Sequence, residues 1–384
     1  MTPSASPNAL GIVRAFGRRG IPVSFVNAGP GALAARSRYV SRRVALPPGR
    51  DFATALVEAL LRLGAEAPQR LVAIPTCDDA VLALARHRHD LERYFHLPVA
   101  DVATVECLVD KRRFYRLLES KGVPHPRTWC PESLDDLLAI GYRLAYPLIV
   151  KPSDSMAFRA AFRTKVFVIR SAADLERAAS RLRGTKLGVM LQEIIPGRDI
   201  YAFYAYFDRD GKVLARCGYD KVRQYEADFG SGSFCISVWR DNVAAPALEL
   251  LRSLGYHGFA EAELKLDPRD GSYKLLEINP RTTLQNRLPA ACGVDVEYVA
   301  YRDCLGERTA PAAARAGVRW VDDLFDLASL LTHLRRGDLA RGELLQAIRP
   351  GKVRSVAAWD DPLPWLSLAS RSLRSAIRRV SGHR

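Results

Sequence analysis

The 384 residues are too many for one ordinary core and predict two or three packed domains. A composition of 48% hydrophobic and 26% charged residues is typical of a globular protein and excludes a disordered or fibrous chain. The net charge of +15 would suit nucleic acid, but the basic residues are spread along helix faces without a nucleic-acid motif. We interpret them as a solvated surface and expect no nucleic-acid partner.

Three features of the sequence predict a cytoplasmic protein. No uninterrupted run of about 18 apolar residues is present to span a membrane. The segment Met1–Pro7 lacks the basic and apolar regions of a signal peptide. The seven cysteines are widely spaced and form no CxxC pair, which argues against a disulfide framework or a zinc knuckle. A homodimer is the default assembly for a protein of this kind.

Helices and strands alternate over residues 1–105. Helical spacing covers Asn8–Arg19, Asp51–Leu63 and Asp78–Phe95, and apolar runs at Ile21–Asn27, Tyr39–Leu46 and Leu71–Pro75 are typical of strands. This alternation predicts a parallel sheet with crossover helices. The strand expected before the first helix is missing, so either the sheet starts at its second strand or the chain begins further upstream. Asp78 and Asp79 are predicted to cap a helix.

A mixed α+β pattern begins near residue 106 and changes near residue 307 to a helical, arginine-rich segment. Helices are predicted at Asp110–Lys121, Leu134–Ile140 and Ala172–Arg183, and strands at Pro147–Lys151, Lys165–Ile169, Gly188–Ile194 and Ile200–Phe207. The last predicted helix, Trp365–Val380, has an apolar stripe beside several arginines. Such a helix can lie on an anionic membrane, but docking against its own domain is the preferred interpretation.

Polar side chains fall together on one face of a predicted β-hairpin. The segment Phe259–Arg281 contains two alternating runs joined by the turn sequence Asp267–Gly271. Because side chains alternate across a strand, the apolar positions share one face and the other face collects Glu261, Glu263, Glu277 and Asn279. Carboxylate and amide oxygens are the ligands that magnesium prefers. The alternative is a set of exposed acidic residues on an edge hairpin.

Three lysines precede this hairpin in the sequence. Lys111 opens a helix, Lys151 ends an apolar strand, and Lys165 begins the next strand. Lysine is a compact charge suited to phosphate, although each of these lysines, taken alone, is more often a surface residue. Their order along the chain, followed by the strand and turn Gln192–Asp199 and then by the acidic hairpin, favours a nucleotide site.

This order of motifs resembles the ATP-grasp superfamily, and the likeness covers almost the whole chain. Its most specific piece is Leu-Leu-Glu-Ile-Asn-Pro-Arg at 275–281. The segments Gly20–Val23, Ser37–Val40, Gly122–Pro126 and Gly293–Asp295 are similar to those of its predicted ATP-dependent carboligases, or carboxylate–amine ligases. The resemblance implies an α/β fold: a Rossmann-like domain (1–105), ATP-grasp lobes A (106–190) and B (191–306), and a helical, basic C-terminal extension (307–384).

The resemblance also implies roles for individual residues. Lys111 and Lys151, and with them Lys165, would bind the ATP phosphates. The backbone of Glu193 and Ile195, in the hinge strand that begins at Gln192, would bind adenine, and Asp199 would accept from the ribose hydroxyls. One or two Mg²⁺ ions, or Mn²⁺, would be held by Glu263, Glu277 and Asn279, and Arg281 would face the transferred phosphoryl group.

Two segments of the expected site are less clear. Superfamily members commonly cover the phosphates with a glycine-rich loop, but no glycine lies between Lys151 and Lys165, so we expect Arg159, Arg163 or Lys165 to supply side-chain charge instead. The segments 221–225 and 229–233 are predicted to form a loop at the cleft, where Arg223 would pair bidentately with a substrate carboxylate. The alternative for Arg223 is a solvated surface position.

These observations predict a Mg-ATP-dependent ligase. It would activate a small carboxylate as an acyl phosphate, join it to an amine or similar nucleophile, and release ADP and phosphate. A carboxylase that activates bicarbonate is a second interpretation. A non-catalytic ATP-binding scaffold or regulator is a third, and the joint presence of Glu263, Glu277, Asn279 and Arg281 argues against it.

Overall fold

The computed structural model describes residues 7–26, 32–153, 155–226, 229–337, 339 and 341–370. Its N-terminal part contains two short parallel strand pairs, β1 with β2 and β3 with β4. The elements are α1 (Pro7–Gly17), β1 (Ser24–Val26), a 3₁₀ turn (Ala34–Arg36), β2 (Arg42–Val44), α2 (Phe52–Glu66), β3 (Leu71–Val72), α3 (Asp78–Arg86), α4 (Arg88–Leu91), β4 (Phe95–His96) and α5 (Val102–Val109). Parallel pairing is confirmed, although the strands are shorter than predicted.

The helix predicted over Asp78–Phe95 is wrong at its C-terminal end. It breaks between α3 and α4 at His87, and Phe95 lies in β4, paired with Leu71. Phe95 is buried at 3% exposure, so strand pairing and burial outweigh a helical pattern here. Asp78 is also not the cap of α3, because Cys77 occupies the N-cap position.

Lobe A is built around a four-stranded sheet with the order β5-β8-β6-β7. Its elements, with the helix that precedes them, are α6 (Lys111–Ser120), β5 (Thr128–Trp129), α7 (Leu134–Gly141), β6 (Leu148–Pro152), α8 (Ser155–Phe162), β7 (Phe167–Ile169), α9 (Ala172–Leu182) and β8 (Val189–Glu193). The glycine-free segment after Lys151 therefore forms a helix, α8, where a loop was expected. Phe158 of α8 is fully buried in the lobe A core with Leu148 and Val150, and this apolar anchor explains the helix.

Lobe B carries the larger sheet, ordered β13-β12-β9-β10-β11-β15-β16, with β14 paired to β10. Its elements up to residue 304 are β9 (Ile200–Phe207), β10 (Val213–Tyr225), β11 (Ser231–Ser237), α10 (Asp241–Ser253), β12 (Gly258–Asp267), β13 (Ser272–Asn279), α11 (Arg287–Ala291) and α12 (Val296–Cys304). β9 is antiparallel to both of its neighbours, β10 and β12. The turn at residues 196–197 predicted β8 as its antiparallel partner, which is wrong, because β8 pairs with β5 and β6 in the lobe A sheet.

Both faces of this sheet are covered, because alternate side chains of β9 enter different cores. Tyr201, Phe203 and Phe207 join a cluster that extends into the N-terminal part of the chain. Tyr204 and Tyr206 join a second cluster with residues of α11 and α12. The N-terminal part approaches closely at Gly258, where φ is +114° and a Cβ atom would lie 2.5 Å from the carbonyl oxygen of Pro98.

The C-terminal extension contains strands as well as helices, which corrects the prediction of an all-helical segment. Its elements are β14 (Ala312–Ala313), β15 (Arg319–Val321), α13 (Asp326–Arg336), α14 (Arg341–Ile348) and β16 (Val353–Arg354). β15 pairs with β11 and β16 with β15, so the extension widens the lobe B sheet. Strands of two or three residues are too short to leave a period in the sequence.

The helix predicted at Trp365–Val380 is only partly within the described residues. Residues 363–370 are helical, and the remainder of the prediction, from residue 371 onward, lies outside the description. Within the described part of the chain, no helix combines the length and apolar character needed to cross a membrane.

Candidate active site

The acidic hairpin forms as predicted and brings two carboxylates directly opposite each other. Glu263 of β12 pairs across the strands with Glu277 of β13, and Glu261 pairs with Asn279. On the other face Ala262 is fully buried. A register shift follows Glu263, so that Leu275 pairs with Leu264 and lies in the core beside Ile278, whereas alternation along the strand would place Leu276 there. The apolar face fixes the register, and with it the position of the acidic group.

Lys111 and Lys151 approach Glu277 from the other side of the site. Lys111 is the first residue of α6, whose N-cap Asp110 accepts from two backbone amides, and its Nζ lies 3.9 Å from Glu277 Oε2. Lys151 Nζ donates to Tyr115 Oη at 3.3 Å. Burial lowers the pKa of both lysines. Burial opposes ionisation of Glu277 too, but the charges of Lys111 and Lys151 outweigh it and lower its pKa to about 2.

Lys221 belongs to this group, although we did not predict it as a site residue. Its ammonium group is in direct contact with the carboxylate of Glu263, and two residues earlier Tyr219 donates to Glu261. Burial raises the pKa of Glu263, and Lys221 only partly offsets this. The segment 221–225, predicted as a loop, is the end of strand β10. The alternation of Tyr219 and Lys221 on one strand face is the signal that could have identified Lys221.

The acidic face fits a magnesium ion by its chemistry. Glu263 and Glu277 supply two facing carboxylates, and the Asn279 amide lies 3.3 Å from Glu277 Oε1. The described residues contain no group of three or more His, Cys, Asp and Glu side chains arranged to hold a metal. A cation here would therefore depend on the Asn279 oxygen and on ligands from a bound substrate, as is usual for Mg²⁺ beside nucleotide phosphates.

Arg281 lies next to this group and is held from two sides. Its Nε donates to Asp78 at 2.9 Å and its Nη2 donates to the Asn279 amide oxygen at 3.2 Å. Asp78 is the first residue of α3, so the N-terminal part of the chain orients an arginine of the hairpin. This ion pair is the role that Asp78 has in the structure, in place of the predicted cap.

The predicted hinge strand is β8 and the residues that follow it. The Gln192 side chain donates to Thr128 Oγ1 at 2.8 Å, and Ile195 is buried at 3% exposure. The backbone N–H of Glu193 donates to the Arg127 carbonyl at 3.0 Å, so a contact of this residue with a base would use its carbonyl. Asp199, just before β9, is exposed, and its carbonyl accepts from Leu266.

Arg223 was predicted to lie at the cleft, and this prediction is wrong. Its side chain is 0% exposed and is paired bidentately with Asp326 of α13, at 2.9 Å from Nε and 2.8 Å from Nη2. Its guanidinium also lies over the Phe234 ring, 4.3 Å from the centroid. The carboxylate expected from a substrate is thus supplied by the chain itself. Asp326 is 103 residues away in sequence, so no local pattern could indicate it.

Lys165 lies at the edge of the same group. It precedes β7, and its Nζ donates to the Phe229 carbonyl at 3.2 Å, between β10 and β11. Burial lowers its pKa, and Arg159 adds to this effect while Glu277 opposes it. The structure therefore gathers Lys111, Lys151, Lys165, Glu263, Glu277, Asn279 and Arg281 in one place, and keeps Arg223 out of it.

Comparison with known proteins agrees with this geometry. No protein-family model matches the sequence. The chain is 27% identical over 252 residues to D-aspartate ligase of Enterococcus faecium (strain Aus0004), covering 61% of this chain and 59% of that protein. It therefore spans less than two thirds of the length of that relative.

Solved structures share the fold at low sequence identity. The biotin carboxylase domain of Hydrogenobacter thermophilus 2-oxoglutarate carboxylase, described as a dimer in complex with MgADP, ADP and bicarbonate, superposes with a TM-score of 0.65 at 16% identity, over 83% of this chain and 72% of that one. An L-amino acid ligase from Bacillus licheniformis gives a TM-score of 0.58 at 20% identity, over 78% and 72%. These structures show that the fold is shared, and together with the similarity to D-aspartate ligase they agree with the resemblance to the ATP-grasp superfamily.

Proposed function

We propose that this protein is a Mg-ATP-dependent carboxylate–amine ligase. The observation that carries the proposal is the facing pair Glu263 and Glu277, set against Lys111 and Lys151. Two carboxylates for a divalent cation and several cations for phosphate, together in one site, are the requirements of a nucleotide-dependent phosphoryl transfer. The similarity to D-aspartate ligase and L-amino acid ligase supports the ligase class.

The residues divide the work of binding ATP. Lys111 and Lys151 neutralise phosphate charge. Because burial disfavours their charged forms and lowers their pKa values, an anionic ligand beside them would stabilise both ammonium groups. The hinge, Gln192 to Ile195, lies against adenine, and Asp199 accepts from the ribose. Glu263, Glu277 and Asn279 would hold Mg²⁺, which would neutralise charge on the phosphate oxygens.

The chemistry follows from this placement. The substrate carboxylate attacks the terminal phosphorus of ATP, ADP leaves, and the acyl phosphate is attacked by an amine, which expels phosphate and releases a proton. Arg281, oriented by Asp78, and Lys221, in contact with Glu263, place positive charge where the transferred phosphoryl group develops negative charge. Catalysis then rests on positioning and electrostatics more than on covalent participation by the protein.

The substrates we propose are amino acids, in keeping with the names of the two ligases to which the chain is similar. We also propose a homodimer, in line with the dimer of the biotin carboxylase domain. A cytoplasmic location would supply ATP and reducing conditions, which suits seven cysteines that all carry free thiols.

The test is ADP release with Mg-ATP against amino acids, hydroxy acids and bicarbonate, supplied singly and in pairs, with D-aspartate among them. Glu277→Gln keeps the shape of the side chain and removes the charge. Changes to residues that only support metal ligands cost about 10- to 100-fold, so we expect a loss of about 100-fold or more at Glu277, which we propose as a ligand itself. Glu249→Gln, an exposed position on α10, is the matched control and should retain full turnover.

The outcomes separate the candidate functions. The ligase is supported if turnover needs a carboxylate and an amine together, and if it is lost in Glu277→Gln but kept in Glu249→Gln. Turnover with bicarbonate alone would indicate a carboxylase. Magnesium-dependent ATP binding without turnover on any pair favours the non-catalytic scaffold, and absence of ATP binding contradicts the proposal as a whole.

A further inference from the structure

A short segment between β10 and β11, which we call the hairpin tip, lies between lobe A and the C-terminal extension. It covers residues 225–231, of which Tyr225, Glu226, Phe229, Gly230 and Ser231 are described. Its described ends approach closely, since a Cβ atom at Gly230 would lie 2.0 Å from the carbonyl carbon of Tyr225. Gly230 therefore allows a close approach of the backbone that a side chain would prevent.

On one side, the hairpin tip contacts the segment that replaces the glycine-rich loop. Arg159 of helix α8 pairs with Glu226 at 3.4 Å. Lys165, which follows the same helix, donates to the Phe229 carbonyl at 3.2 Å. Burial lowers the pKa of Lys165, and the charge of Glu277 opposes this effect. These contacts therefore lie at the end of the site where Lys111 and Lys151 are proposed to bind phosphate. The tip is thus the part of lobe B against which α8 rests.

On the other side, the start of α13 holds the base of the tip. The Phe325 ring stacks on Tyr225 with centroids 4.6 Å apart and planes 7° from parallel. Ser329 Oγ donates to the Gln224 carbonyl at 2.7 Å. Asp326 receives Arg223 of β10 in a bidentate pair and Ser233 Oγ of β11 at 3.3 Å. Both strands that lead into the tip are therefore fixed by one turn of one helix.

We propose that Phe325 and its neighbours on α13 are positioning residues that set where α8 closes over the phosphates, acting through the hairpin tip. The proposal rests on the function proposed above, because it assigns α8 the task of covering ATP. A glycine-rich loop closes by its own backbone amides. Helix α8 closes by side chains, and these need a fixed surface on lobe B. The hairpin tip is that surface, and the start of α13 fixes its position.

The consequence for the reaction is control of water. An acyl phosphate exposed to solvent is hydrolysed, and a closed site prevents this loss. When the stack of Phe325 on Tyr225 is removed, the tip shifts, α8 opens more often, and ADP is released without formation of the ligated product. A mere loss of folded protein would lower ADP and product together and leave their ratio unchanged.

The experiment is hydrogen exchange of the α8 amides in the full-length protein, first without nucleotide and then with Mg²⁺ and adenylyl imidodiphosphate. Phe325→Ala removes the stack. We expect the α8 amides of this variant to exchange about 2- to 10-fold faster, which corresponds to the free energy of one aromatic pair. Glu226→Gln breaks the contact with α8 from the tip side and should raise the same exchange. Leu327→Ala, also on α13 but 68% exposed, is the matched control and should leave α8 unchanged.

Faster α8 exchange in Phe325→Ala and Glu226→Gln, but not in Leu327→Ala, supports the proposal. Unchanged α8 exchange in Phe325→Ala without nucleotide overturns it. If Phe325→Ala does not fold, Glu226→Gln still decides whether the tip restrains α8, and an unchanged value there overturns the proposal too. Failure of the nucleotide analogue to protect β8 from exchange in the unmodified protein would instead contradict the proposed ATP site. The measurements without nucleotide test only the restraint of α8, so failure of one proposal can be told from failure of the other.

Discussion

Two buried arginine–aspartate pairs tie the C-terminal extension to the rest of the chain, and they differ in how completely they are satisfied. In the first, Arg14 of α1 donates from all three of its nitrogens, to Asp361 Oδ2 at 2.9 Å, to the Val356 carbonyl at 2.6 Å and to the Asp361 carbonyl at 2.8 Å. Asp361 in turn accepts from Ser37 Oγ at 2.7 Å. Each of the three guanidinium nitrogens of this arginine therefore has a hydrogen-bond partner.

In the second pair, Arg223 gives Nε and Nη2 to Asp326, while its buried Nη1 has no hydrogen-bond partner among the described residues. The ring of Phe234 covers the guanidinium. Asp326 is 14% exposed, whereas both side chains of the Arg14–Asp361 pair are 1% exposed. The same pair chemistry is thus complete in one place and incomplete in the other.

The difference follows from what each pair connects. Arg14 joins the extension to the first helix, and no residue of the acidic group takes part. Arg223 lies on β10, two residues beyond Lys221, and so joins the extension to a strand of the candidate active site. A fully satisfied buried pair is costly to break, which suits an anchor. We infer that the first pair serves stability and that the second serves the geometry of the site.

The largest effect is expected at the complete pair. Asp361→Ala leaves the buried Arg14 charge and the Ser37 hydroxyl without their acceptor, so the free energy of unfolding should fall by about 3–5 kcal/mol. Urea unfolding followed by tryptophan fluorescence reports this, because Trp320, Trp359 and Trp365 lie in the extension. Asp360→Ala breaks the neighbouring Arg18 pair, whose side chains are 38% and 41% exposed, and as the control should cost about 1 kcal/mol or less. Equal losses in the two variants would contradict the assignment of Asp361 as an anchor.

A smaller loss of stability but a larger loss of activity is expected at the incomplete pair. Asp326→Ala should lower the free energy of unfolding by about 2 kcal/mol, less than a fully buried pair, because Asp326 is partly exposed and Phe234 still covers Arg223. ADP release per folded molecule should fall about tenfold, since Lys221 is displaced. In Asp361→Ala, activity per folded molecule should be retained. Equal losses of activity in Asp326→Ala and Asp361→Ala would contradict the inference that only the Arg223–Asp326 pair serves the geometry of the site.

The smallest effect concerns the start of α13, where Asp322 accepts from the backbone amides of Leu324 and Phe325 at 2.8 and 3.2 Å. Burial raises the pKa of Asp322 to about 6, above the usual value of about 3.9 that applies when the chain is unfolded. Folding therefore favours the protonated form. This contribution to stability is present below pH 4 and is lost as the pH rises to about 6.

Asp322→Asn keeps an acceptor and removes the charge, so it should raise the free energy of unfolding by about 1 kcal/mol at pH 7 and leave it unchanged at pH 4. Urea titrations of both proteins at the two pH values measure this difference. A gain of the same size at pH 4 would show that the effect is not due to ionisation of Asp322. Glu307→Gln, which changes an exposed carboxylate paired with Arg302, is the control.

The central hairpin was predictable because its evidence is local. Alternation of apolar and polar residues along Phe259–Arg281, with a turn sequence between the two runs, determines which side chains share a face. The pairing of Glu263 with Glu277 confirms it, apart from the register shift between Glu263 and Leu264. β9 was predictable as a strand because it is a continuous apolar run of eight residues. β1, β2 and β3 were indicated by apolar runs between predicted helices, whereas β4, with two residues, was not predicted.

The tertiary structure alone decided which charged residues meet. Arg223 and Lys221 stand two positions apart in one strand, and the sequence does not indicate that one is neutralised by Asp326 of the extension and the other by Glu263 of the hairpin. The helical state of α8 depends on burial of Phe158 in lobe A. Periodicity is a property of neighbouring residues and can be read from the sequence. The partner of a buried charge is chosen by topology, over separations of 42 and 103 residues here, and so it becomes apparent only in the folded chain.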